Sequence, residues 1–194
     1  MAEYKREIGK SRTLNSGSVS LAIFVRAIMN QTKDRLMLIH PIAPVFNSSS
    51  RVLILGSFPS VKSREEGFFY GHPQNRFWRV TSTVFGEDVP LSIEEKKSFL
   101  LRNHLALWDV IGSCEIEGSS DSSIRNVTVN DISVILDAAD IQTIYLNGKK
   151  AFQLYQKYLY PVIGREGICL PSTSPANAMW RQDDLIRAWS VIAD

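Results

Sequence analysis

Val52-Leu53-Ile54-Leu55, followed by Gly56-Ser57-Phe58-Pro59-Ser60, is a short apolar run that stops at a glycine, a serine and a proline. Such a run is too short for a buried helix and suits a buried strand. The glycine, serine and proline then force a loop at the strand's C-terminal end. In an open α/β sheet, ligands bind in the crevice beyond the carboxyl ends of the strands. The chain from Gly56 through Tyr70-Gly71-His72-Pro73-Gln74-Asn75-Arg76-Phe77-Trp78 is therefore expected at the binding edge. It carries an aromatic pair (Phe69, Tyr70), a histidine and two amides (Gln74, Asn75). Aromatic faces to stack on and amides to read an edge suit a flat, polar, uncharged ligand, and a nucleobase fits.

Toward the N-terminus, residues 1–18 are polar and serine-rich without core periodicity, which predicts a mobile tail. Residues 19–36 have the spacing of one amphipathic helix, so 1–36 reads as an extension and 37–194 as the domain. Toward the C-terminus, helices are predicted over 75–85 and over 93–103, the second opened by the capping box Ser92-Ile93-Glu94-Glu95. A second strand is predicted at 105–110. The polar segment 112–129 reads as a loop, and Asn130 as the cap of a helix over 131–139. A third strand at 142–148 precedes a helix from Lys149 to Tyr160, stopped by Pro161. A fourth strand at 167–171 leads to a loop and a last helix over 183–193. Strands alternating with helices predict an α/β three-layer sandwich with a central, mostly parallel four-stranded sheet.

Composition narrows the classes. At 194 residues, 44% hydrophobic and 22% charged, the chain has the profile of one ordinary globular domain. A net charge of +2 permits nucleic-acid binding without arguing for it. The two cysteines, Cys114 and Cys169, match no metal spacing and read as reduced, buried thiols in a cytoplasmic protein. No metal and no cofactor is expected, and no apolar run is long enough for a membrane span. Gly56-Ser57-Phe58-Pro59-Ser60 lacks both G-x-G-x-x-G and the P-loop lysine. The zinc-deaminase signature and the G-x-S-x-G elbow are missing as well.

Three loops at strand ends, 56–75, 147–148 and 172–178, hold the chemistry, and a parallel sheet brings all three to one edge. Each residue also has a plain structural reading. Asn75 at a helix start is either an N-cap or a catalytic amide. Asn147 before Gly148 is a turn residue or a reader of a base edge. Ser172-Thr173-Ser174-Pro175 offers hydroxyls and N–H groups to a phosphate, or is a polar turn. Phe69 and Tyr70 are stacking platforms or core, and His72 touches a ligand or makes a local bond. Asp109 is a second group able to activate water, or a strand-end carboxylate with a structural role.

Taken together, G-S-F-P-S, F-Y-G-H-P-Q-N-R-F-W, Y-L-N-G and S-T-S-P-A-N resemble the uracil-DNA glycosylase superfamily over about 51–193. The resemblance is closest to the hypoxanthine-DNA glycosylase branch, with the mismatch-specific uracil glycosylases next. Mismatch-type members carry an asparagine where this chain has Phe58. The hypoxanthine branch resembles this chain in moving the role to the later asparagine, which falls on Asn75. Tyr70 aligns with the aromatic that stacks on the flipped base, and Asn147 with the strand-end amide that reads it. Gly56, Ser57, Phe58 and His72 complete the expected base-binding set. Ser60, Ser172, Thr173, Ser174, Pro175, Ala176 and Asn177 make the expected DNA-binding set, with Ala178, Met179 and Trp180 as candidate wedges. The superfamily's usual histidine in the last motif is replaced here by Thr173 or Ser174.

The resemblance implies a monofunctional DNA repair enzyme. It would hydrolyse the N-glycosidic bond of deoxyinosine in double-stranded DNA after base flipping and release hypoxanthine, acting as a monomer near the nucleoid. Lys149 and Lys150, at a helix start, fit phosphate contact or plain solvation better than Schiff-base chemistry. Three other readings stand beside it. They are uracil or mismatch-specific excision, a non-catalytic nucleic-acid binding domain of the same fold, and an enzyme of free nucleosides or nucleotides.

Overall fold

A computed structural model describes residues 37–115 and 124–193. The predicted first strand is β2, Val52–Gly56. It pairs in parallel with β3, Leu105–Asp109, on one side and with β6, Thr143–Asn147, on the other. β7, Ile168–Leu170, adds in parallel to β6, giving the order β3-β2-β6-β7. This is the predicted four-stranded parallel sheet. Its strands are near-continuous apolar runs because both faces are covered.

Side chains alternate between those faces. Leu53, Leu55, Ala106, Ile144 and Leu146 face a core completed by Ile135, Ala151, Leu154 and Tyr155. Those four come from α4, Ser133–Leu136, and from the helical segment begun by α5, Lys149–Leu154. Ile54, Leu105, Leu107, Tyr145 and Leu170 face a second core. That core is filled by Phe77, Trp78 and Val80 of α2, Phe77–Phe85, by Phe99 and Leu100 of α3, Ile93–Arg102, and by Leu185 and Trp189 of α7, Gln182–Trp189. Helices, sheet and helices make the three layers. The capping box of α3 forms as read, with Ser92 accepting from the Glu95 N–H and Glu95 from the Ser92 N–H.

Several expectations need correcting. Within 112–129 the chain is not a loop: β4, Ile111–Glu115, pairs antiparallel with β1, Met37–Ile39, and with β5, Arg125–Val129. A small antiparallel sheet tolerates a wet face, so its strands keep polar residues that would be excluded from the central sheet. Residues 116–123 lie outside the described residues, as does the extension 1–36. Between Gly56 and Asn75, a short helix α1, Val61–Glu66, forms from a Ser60 N-cap. Pro161 does not end the helix after Asn147. A widened π turn, Tyr155–Leu159, precedes it, and Pro161 stands in the first turn of α6, Tyr160–Ile163, where no N–H is needed. Asn130 does not cap the helix that follows, whose N-cap is Ile132; its amide holds the Asp109 and Ile111 carbonyls. Cys114 is buried, but Cys169 on the edge strand is exposed. Among the described residues, no helix is long and apolar enough to cross a membrane.

Candidate active site

The loops after β2, β6 and β7 and the end of β3 meet at one edge of the sheet around a cleft of about 770 Å³. Gly56, Ser57, Phe58, Ser60, Tyr70, Asn75, Asn147, Ser172, Thr173, Ser174, Ala176 and Asn177 all line it. Two of the expected residues do not. His72 lies off the cleft with its Nδ1 accepting from the Gln74 N–H (3.1 Å), and Pro175 sits between lining residues without lining it.

A hydrogen-bonded relay joins the two asparagines. Asn147 accepts from the Thr173 N–H (3.0 Å) and donates through Nδ2 to Thr173 Oγ1 (2.9 Å). Thr173 Oγ1 then donates to Asn75 Oδ1 (3.0 Å), which also accepts the Phe77 N–H (3.0 Å). Both lone pairs of Asn75 Oδ1 are thus engaged, and its orientation is fixed by donors on two sides. The Nδ2 protons of Asn75 remain for the cleft. The N-cap position of α2 is Arg76, so the plain reading of Asn75 becomes a local bond to the Phe77 N–H, compatible with serving the site. Thr173 is fully buried, so its side chain is a brace between the asparagines rather than a phosphate ligand. Gly148, at φ 98°, lets the chain leave β6 tightly: a Cβ there would stand 2.7 Å from the Ser172 Cβ.

Thr173→Val keeps the shape and removes the hydroxyl of this relay. Leaving the Asn75 oxygen and the Asn147 amide short of a partner costs about 1–3 kcal/mol. The expected result is a melting temperature lower by about 3–10 °C. An unchanged melting temperature would show that the hydroxyl braces neither amide.

The loop 172–180 is built by its own small polar groups. Ser172 Oγ accepts the Ser174 N–H, Ser174 Oγ accepts the Ala176 N–H (both 3.2 Å), and the Asn177 amide donates to the Ser172 carbonyl. These are the polar turns of the plain reading, yet each serine keeps a hydroxyl proton to donate. Arg76 ties the loop down: its guanidinium donates to the carbonyls of Thr173 (3.4 Å), Ser174 (2.8 Å), Asn177 (2.9 Å) and Trp180. Beyond it, Met179 is 92% exposed and Trp180 37% exposed.

The Tyr70 ring stacks on Phe77, with centroids 4.0 Å apart at 23°. Its backbone is left-handed, at φ 54°. Burial holds the phenol far above its ordinary range, and the Asp109 carboxylate nearby pushes the same way. The Asn147 amide opposes this weakly, since the hydroxyl has no partner within hydrogen-bonding geometry. Ser60 Oγ accepts the Ser63 N–H (3.2 Å) as the cap of α1. Phe58 is buried, its ring edge-on to His40 (5.8 Å), with the Arg64 guanidinium 5.7 Å above it.

Sequence reasoning missed His40 and Arg64. His40 follows the short strand β1, which no periodicity announces. Arg64 lies on α1, inside what reads as a loop. Asp109, Lys149 and Lys150 also line the cleft.

This is a strand-end cleft with two braced amides, an aromatic wall and basic residues at its margin, on a parallel three-layer fold. The uracil DNA glycosylase superfamily signature matches residues 43–193, and the chain belongs to that superfamily. It is 35% identical over 136 residues to a protein named hypoxanthine DNA glycosylase from Methanosarcina barkeri, covering 69% of this chain and 85% of that one. A protein of the same name from Methanosarcina acetivorans is 37% identical over 135 residues, covering 69% and 84%. A solution NMR structure of a candidate uracil DNA glycosylase from Methanosarcina acetivorans superposes with a TM-score of 0.68 at 31% identity. That match covers 82% of this chain and all of the other.

Proposed function

We propose that the chain is a monofunctional, monomeric glycosylase of deaminated bases in double-stranded DNA, which hydrolyses the N-glycosidic bond of deoxyinosine and releases hypoxanthine. Membership of a DNA glycosylase superfamily supports the reaction class, and the two hypoxanthine DNA glycosylase relatives support the base. The observation that carries the reading is Asn75, whose oxygen is locked from two sides while its Nδ2 is left to the cleft.

The target base must leave the duplex, at about a few kcal/mol, less for a mispaired one. Tyr70, backed by Phe77, gives it a rigid aromatic wall. Asn147, held by Thr173, reads the base edge together with the backbone of Gly56, Ser57 and Phe58. Cleaving the C–N bond builds positive charge on the sugar and negative charge on the base. Asn75 is not basic, but its Nδ2 holds a water by one lone pair beneath C1′. Attack on a near-cation needs orientation more than base strength, and the water's proton passes through solvent to the departing base anion, so that neutral hypoxanthine is released. Water is the only co-substrate that the hydrolysis consumes.

The loop 172–180 meets the DNA strand through Ser172, Ser174 and Asn177, with Met179 and Trp180 as the wedge. Arg64, Lys149 and Lys150, which line the cleft, are the phosphate contacts of this reading. Affinity for duplex DNA should then fall steeply with salt, with a log–log slope of about −3 or steeper. A slope shallower than about −1 would fit an enzyme of free nucleosides instead. The test of the reaction is chromatographic detection of free hypoxanthine from a deoxyinosine duplex, with no borohydride-trapped protein–DNA adduct. A trapped adduct would overturn the monofunctional part, and the absence of hypoxanthine the whole.

A further inference from the structure

At the end of β3 the cleft wall contains a buried carboxylate whose use the steps above do not explain. Asp109 is 4% exposed and lines the cleft. Its Oδ2 lies 2.8 Å from His40 Nε2. His40 Nδ1 accepts the Ile42 N–H (3.2 Å), so the ring proton is on Nε2 and His40 donates to the carboxylate. The other oxygen, Oδ1, lies against Gly56, where a Cβ would come within 2.1 Å of it. Gly56 is thus needed to leave room for this carboxylate. Among the described residues nothing donates to Oδ1. The Tyr70 hydroxyl, 3.3 Å from the same Cβ position, is buried without a partner. A buried hydroxyl is normally paired, so an orphaned one beside a cleft-lining carboxylate oxygen points to a guest that completes the corner.

We propose that Asp109, oriented by His40, is the residue that selects deaminated bases, by accepting a hydrogen bond from the ring N–H that deamination creates. This rests on the glycosylase reading above and names a determinant of its specificity. The chemistry is a reversal of polarity at one ring atom. Adenine N1 and cytosine N3 carry a lone pair, whereas hypoxanthine N1 and uracil N3 carry a proton. A fixed acceptor that cannot turn, because His40 holds its other oxygen, pairs with the second and repels the first. Sites built to pair with a ligand's N–H reject analogues lacking it strongly, because the buried partner is left unpaired. Guanine and thymine also carry a ring N–H, and their exclusion falls to the cost of flipping a well-paired base.

Asp109→Asn inverts the corner. The His40 proton keeps the Asn oxygen on its side, so the new amide N–H₂ faces the cleft and offers a donor where an acceptor stood. The experiment measures single-turnover rates on duplexes holding deoxyinosine or 2′-deoxynebularine, a purine with a bare N1 lone pair and no 6-substituent. Wild type is expected to favour deoxyinosine by about a hundredfold. Asp109→Asn should shrink that ratio by at least about tenfold or reverse it. A parallel arm needs no variant: wild type should cleave N1-methyl-deoxyinosine at least about a hundredfold more slowly than deoxyinosine, although the methylated base pairs worse and flips more readily.

If Asp109→Asn slows both substrates equally, the carboxylate acts on water or sugar and the inference fails while the glycosylase reading stands. Equal cleavage of the methylated base by wild type overturns it as well, even if the variant does not fold. Should wild type leave deoxyinosine intact, the functional reading falls, and the inference with it.

Discussion

Asn75→Ala is expected to lower single-turnover release of hypoxanthine by at least about a hundredfold while duplex DNA still binds. The size follows from what the amide supplies. Placing a reactant water in a near-attack position accounts for several powers of ten in comparable intramolecular reactions. Among the described residues, no other amide is bonded both to Thr173 Oγ1 and to the start of α2, and the Asn147 Nδ2 is engaged with Thr173. The same change removes the acceptor of the Phe77 N–H at the start of α2, at about 1 kcal/mol. Melting temperature should therefore drop by a few degrees, a loss too small to explain the rate. The two effects separate cleanly, because this bond contributes to stability and not to a single-turnover rate measured on folded enzyme. Wild-type turnover in Asn75→Ala, with the small loss of stability, would reduce the residue to its local bond and move the search for the water-holding group elsewhere along the cleft.

Arg76→Ala is expected to weaken duplex binding by about a hundredfold, through a residue set against the loop rather than against the DNA. One guanidinium holds four carbonyls spread from Thr173 to Trp180. Its loss leaves the loop its short serine turns and the Arg76 N–H bond to the Thr173 carbonyl. Hydrogen bonds to a charged group contribute about 1.5–3 kcal/mol each, and even one such contribution to loop order accounts for most of the effect. Amide exchange should rise across 173–180 and stay unchanged in α2. Arg76→Lys should not rescue, since one ammonium cannot span four acceptors in a plane. Full affinity in Arg76→Ala, with the loop protected, would mean that this loop does not carry the DNA contact.

The central sheet was legible because its strands are buried on both faces. Val52–Gly56, Leu105–Asp109 and Thr143–Asn147 are bounded apolar runs, and glycine or polar residues mark where each loop begins. The convergence of loops follows from parallel strands, and with it the meeting of Asn75, Asn147 and Thr173. The role of Thr173 was not legible. A hydroxyl in a serine-rich loop carries no sign of whether it faces solvent or, as here, joins two amides distant in sequence. β4 and β5 were hidden because a half-wet antiparallel sheet lacks a continuous apolar signature. The His40–Asp109 pair spans 69 positions and rests on a three-residue strand, so only tertiary structure brings it together.

Excision of hypoxanthine from DNA is read out by one gel assay. Labelled duplexes holding a single deoxyinosine, deoxyuridine, deoxyxanthosine or undamaged base are incubated with the full chain and then cleaved with alkali. Strong strand breaks at deoxyinosine, and none at undamaged bases, are the predicted result. Intact deoxyinosine strands beside efficient breaks at deoxyuridine would contradict it and make this chain a uracil-excising enzyme.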